Sequence, residues 1–82
     1  MDSSQELTAF IIATVRALAK DKGVVPPELT ASSSLIDGAS GIDSLDLAVV
    51  VVRLQEKTGR DPFREGFVAF DTVRDLVSLY AP

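Results

Sequence analysis

The sequence predicts an all-α fold, a small four-helix bundle with three longer helices, one short helix, and a long loop between helices one and two. Three observations point to it. The chain has only 82 residues, 46% of them hydrophobic. A domain of that size buries roughly 60–65% of its unfolded surface, so its core must be compact and built mostly from local contacts. Four Phe, one Tyr and no Trp imply aliphatic packing. Apolar residues also recur at three- and four-residue spacing in separate segments, as on one face of a helix.

Ser3-Ser4-Gln5-Glu6 has the form of a capping box and predicts the start of helix one. Leu7, Phe10, Ile11, Thr14, Val15 and Leu18 form a single stripe, and Lys20 and Lys22 follow as favourable C-terminal charges. Gly23 is the expected stop. From Val24 to Ile42 the composition shifts to Pro26-Pro27, Ser32-Ser33-Ser34, Gly38 and Gly41. This predicts a long loop crossing the bundle, with Val24, Val25, Leu29, Leu35 and Ile36 as apolar pins.

Helix two is expected from about Ser44 to Lys57, ended by Gly59, with Leu47, Val50, Val51 and Leu54 on the core face. Asp61-Pro62-Phe63 opens a short helix that Gly66 ends, and Phe63, Phe67, Val68 and Phe70 supply anchors. Asp71 is the expected cap of the last helix, whose stripe is Val73, Leu76, Val77 and Tyr80. Residues 1–82 read as a single domain with no internal repeat.

Composition narrows the function classes. Without Cys there is no disulfide framework, thiolate nucleophile or zinc ligand set, which suits a reducing cytoplasm. Without His the usual base for activating a serine near neutral pH is missing, so no catalytic residue is assigned and an enzyme is not expected. A hydrolase with Ser44 as nucleophile fails for the same reason. Twelve acidic against eight basic residues, a formal charge of −4, disfavour nucleic acid and favour basic protein partners. No apolar segment reaches the roughly 18 residues of a membrane span, and the N-terminus lacks the features of a signal peptide. A soluble, cytoplasmic monomer with no bound metal is expected.

The segment carrying most information is Gly41-Ile42-Asp43-Ser44-Leu45, followed at once by an apolar helical run. A serine at a helix start, after a Gly-containing loop, can carry a phosphate ester on the positive end of the helix dipole, where backbone N–H groups have no helical partner. Asp and Ser are also common caps there, so the plain alternative is a helical interaction module in which Ser44 only caps the helix. On the other flank of helix two, Leu45, Ala48, Val49 and Val52 make the helix apolar over more of its circumference than one buried stripe requires. They are the candidate partner surface.

Gly-x-Asp-Ser-Leu with Asp46 behind it, the acidic balance, the long first helix and loop, and the final Asp-Thr-Val-Arg-Asp-Leu-Val segment together resemble an acyl carrier protein from end to end. The resemblance implies that Ser44 carries 4′-phosphopantetheine. It also implies that Asp43 helps orient the metal and cofactor while a separate phosphopantetheinyl transferase loads the chain, and that Leu45 lies at the partner interface. The arm supplies the thiol that this Cys-free chain lacks. An acyl- or aminoacyl-loading enzyme and a downstream synthase or transferase are the other implied partners.

Two departures from the fatty-acid type matter. Val49, Gln55 and Lys57 stand where carboxylates are usual, and Ser40 replaces the apolar residue usual just before the glycine, with Leu35 further upstream than expected. They favour a stand-alone carrier of specialised polyketide, nonribosomal peptide or related metabolism.

Overall fold

Three α-helices, α1 (Ser3–Asp21), α2 (Ser44–Thr58) and α3 (Val73–Tyr80), provide the helical structure of the computed structural model, which describes residues 3–25, 28–38 and 40–81. The Pro26-Pro27 pair of the expected loop lies outside them. The predicted stripes meet in one core. Ile11, Val15 and Ala19 come from α1, Val50 and Leu54 from α2, and Val73, Leu76, Val77 and Tyr80 from α3. Burying a side chain of this kind stabilises by roughly 1.5–3 kcal/mol, so the stripes dominate the packing. Leu47 and Val51 are only half-buried at its margin.

α1 already includes Ser3 as a helical residue, so Ser3 is not the cap that the expected box requires. The Glu6 carboxylate is instead engaged by Lys57 of α2 at 3.3 Å. The far end closes as expected around Gly23, which has a φ of 76°. The Gly23 N–H donates to the Lys20 carbonyl at 2.9 Å and the Val24 N–H to the Ala19 carbonyl at 2.9 Å, the paired bonds of a Schellman motif.

The loop is ordered by its own bonds. Thr30 and Ser33 exchange hydrogen bonds across a tight turn, and an isolated antiparallel bridge joins Ser34 to Thr72. In that bridge the Leu35 N–H donates to the Asp71 carbonyl at 2.7 Å and the Val73 N–H to the Ser33 carbonyl at 3.0 Å. Extended backbone alternates its side chains, so Leu35 points into the core and Ile36 out of it. The true pins are Leu29, Leu35 and Ile42. Val24, Val25 (92% exposed) and Ile36, expected as pins, are exposed.

Two local expectations shift. The bridge holds Thr72 extended, so α3 starts one residue late and Thr72, not Asp71, is its cap; Thr72 and Asp75 form a reciprocal capping box. Asp71 instead accepts from the Ser34 hydroxyl. The expected short helix after Pro62 is a pair of turns, with Arg64 N–H to Asp61 C=O at 3.2 Å and Gly66 N–H to Phe63 C=O at 3.1 Å. One turn is too short to offset the entropy of helix nucleation, and Gly66, at a φ of 140°, leaves helical backbone at once. Phe63 and Phe70 pack against the core, while Phe67 stacks on Phe63 and stays exposed, as does Val68.

Candidate functional site

The site is built where the end of α1 meets the start of α2. Gly41 brings the loop across that junction. Its φ is 84°, and a Cβ placed on it would lie 2.8 Å from Val24 Cγ1 and 3.5 Å from Ala19 Cβ. A larger residue would therefore meet both strain and overlap. Ile42 then enters the core and the chain turns into α2.

Asp43 caps that helix with φ −109° and ψ −173°. The Asp46 N–H donates to Asp43 Oδ1 at 3.0 Å, and the Asp43 N–H donates to Asp46 Oδ2 at 3.2 Å. The acceptor at this helix start is thus Asp43. Ser44 is the first helical residue and is exposed, so the alternative in which Ser44 merely caps the helix does not describe it. As the first residue of α2 it stands at the positive end of the helix, the place where an anionic ester is best tolerated.

A cation completes the junction. Lys22, one residue beyond α1, donates to Asp43 Oδ2 at 3.0 Å and to Asp46 Oδ2 at 2.6 Å. The Asp43 carboxyl is held below its usual range, first by the Asp46 backbone N–H and then by the Lys22 ammonium. Lys22 is raised in turn by its bonds to Asp46 and Asp43. In the sequence Lys22 stands only as a helix-end charge. The Asp-x-x-Asp spacing was a signal for the box, but nothing local signals a contact spanning 21 residues to Asp43.

The candidate partner residues share one accessible flank. Leu45 is 78% exposed, Val49 37% and Val52 51%, and Ala48 is exposed between them. Lys57 departs from that surface: it pairs with Glu6 and lies over the Phe10 ring, 5.1 Å from its centroid. Just before the motif, the Ser40 hydroxyl is buried without a hydrogen-bond partner. Among the described residues no cluster of acidic side chains suited to a metal is present, and no helix is long and apolar enough to cross a membrane.

Searches of curated proteins and of solved structures return no match to the chain. A family model described as the phosphopantetheine attachment site, whose members bear 4′-phosphopantetheine, matches residues 13–80, a span that includes the α1–α2 junction, Ser44 and all of α2 and α3. The chain therefore belongs to the phosphopantetheine-attachment family of carrier proteins.

Proposed function

We propose that residues 1–82 act as one carrier domain that holds acyl or aminoacyl groups as thioesters on a phosphopantetheine arm at Ser44. The observation that carries this reading is the arrangement of the α2 start. An exposed serine occupies the first helical position while Asp43 does the capping, inside a family match that spans the junction. The residues fit the group: Ser44 is accessible, the helix end favours an anion, and Lys22 offers a cation nearby. When bound, the arm contributes a thiol. The chain contributes position and a surface, not catalysis, and this agrees with the absence of Cys and His.

Loading by a phosphopantetheinyl transferase forms a bond between the Ser44 oxygen and phosphorus as the pyrophosphate linkage of coenzyme A breaks. The adenosine 3′,5′-bisphosphate leaves, and the hydroxyl proton passes to a base of the transferase. Leu45, Ala48, Val49 and Val52 form the surface read by the loading and downstream enzymes. Val49 and Gln55, neutral and exposed, reduce the acidity of that flank and support specialised polyketide, nonribosomal peptide or related metabolism over fatty-acid synthesis. Lys57 is not part of that flank because it is turned toward α1.

The test is intact mass after incubation with a broad-specificity transferase and coenzyme A, followed by peptide mapping. A gain of one phosphopantetheine on Ser44, absent in Ser44→Ala, is expected. An arm on another serine, or no gain, overturns the reading. Ser40 is too buried to compete.

A further inference from the structure

We propose that Lys22 is a positioning residue for the loaded arm: its ammonium, bonded to Asp43 and Asp46 in the unloaded chain, is the cation that balances the phosphodiester formed at Ser44. The proposal rests on the reading of Ser44 as the attachment position.

The geometry of the junction supports it. Lys22 has a fixed backbone and a movable head. Its N–H is bonded to the Ala19 carbonyl at 3.1 Å within the turn that closes α1, while four flexible carbons separate that backbone from the ammonium. An ammonium has three donors, and two bonds hold it here, one to each carboxylate. Both carboxylates take part in the box, but the side chain of Asp46 is only 16% exposed whereas that of Asp43 is 56% exposed. The ammonium therefore has a firm anchor on Asp46 and can turn from Asp43 toward a new anion.

Charge decides the matter. The unloaded junction holds two carboxylates against one ammonium, and no other ion pair reaches Asp43 or Asp46 among the described residues. A phosphodiester adds a third negative group one residue from Asp43. The positive end of α2 offsets only about half a charge. Removing Lys22 would leave three anions around one helix turn.

The consequence differs from that of an ordinary surface ion pair. Exposed pairs contribute little to the stability of a fold, so loss of Lys22 should hardly affect the unloaded chain. The effect should emerge after loading, when repulsion at the start of α2 is greatest.

The experiment uses the full chain as wild type, Lys22→Met, Lys22→Gln and Lys22→Arg, each loaded to completion with excess transferase and coenzyme A and mapped by mass. Melting is measured before and after loading, at low and high salt, with the 31P resonance of each loaded form. Wild type and Lys22→Arg should change little in Tm on loading. Lys22→Met and Lys22→Gln should drop by about 2–4 °C at low salt, a shift expected of a modest electrostatic effect in a domain this size. That drop should fade at about 0.5 M salt, where screening is strong, and the 31P resonance should move in the same two variants. Equal loading shifts in all four proteins, with the arm mapped to Ser44, would overturn the role of Lys22 alone. An arm mapped elsewhere in wild type would overturn the Ser44 reading and this proposal with it.

Discussion

At one end of the α1–α2 pair Lys22 reaches across to Asp43 and Asp46; at the other, Lys57 reaches back to Glu6 and lies over the Phe10 ring. The two helices run in opposite directions, and each end is tied by a lysine. The materials differ. The Lys57 end is filled with rings, because Phe63 packs 6.4 Å from Tyr80 and 6.0 Å from Phe70. Among the described residues no ring contact involves the Lys22 end. It is held by a left-handed glycine in close contact with Val24, a capping box and charge pairs.

That difference shows how a small carrier divides its structure. Aromatic burial holds one end, so the other can leave Ser44 and Leu45 outside while backbone bonds keep the start of α2 in place.

The comparison breaks most readily at its glycines. Gly41→Ala should destabilise by about 2–3 kcal/mol, since it combines a disfavoured left-handed backbone with overlap against Val24. Gly59→Ala, at a similar φ but in open space, should cost only about 1 kcal/mol. Urea unfolding of both variants checks this. Equal losses would mean that the close contact at the site end contributes nothing.

Next in size is the response to pH. Burial pushes the Tyr80 hydroxyl up to about 12. A group with its folded pKa raised gives stability that is complete below the unfolded value near 10 and is lost as pH rises toward 12. Lys22 is also raised and adds an alkaline loss of its own, so the test is the difference between wild type and Tyr80→Phe, whose melting should fall less between pH 9.5 and 11.5. Asp43 is lowered, and its contribution is present above the usual carboxylate range and lost as pH falls through its folded value. Acid should therefore loosen the site end, and Asp43→Asn should flatten that response. Parallel acid and alkaline curves in wild type and both variants would erase the distinction.

Smaller effects sharpen it. Thr72→Ala removes the cap of the eight-residue α3 and should cost about 1 kcal/mol by thermal melting. Ser40→Ala should stabilise by up to about 1 kcal/mol, because a buried hydroxyl without a partner is removed beside the motif. A loss instead would reveal a bond to that hydroxyl. Val49→Glu should move the melting midpoint least, within the roughly 0.5 kcal/mol usual for surface positions, while changing transfer rates with the cognate enzyme. A large drop would mean that this flank is covered.

Much of this protein was determined by the sequence alone. Helical periodicity placed the stripes of α1, α2 and α3 and most of the core, because spacing along a helix directly encodes which face is buried. The α2 start at Ser44 and its glycine stop were legible for the same local reason, since caps and left-handed turns depend on near neighbours. The tertiary structure decided what depended on distant partners. The Ser34–Thr72 bridge moved the α3 cap from Asp71 to Thr72 and turned Ile36 outward. Lys57 looked like part of the exposed face of α2 until α1 supplied Glu6 and Phe10. Lys22 looked like a helix-end charge until α2 folded against it, joining residues 21 and 24 positions apart into one ion cluster. Local spacing specifies a helix and its inward face, but a charge finds its partner only when the helices pack.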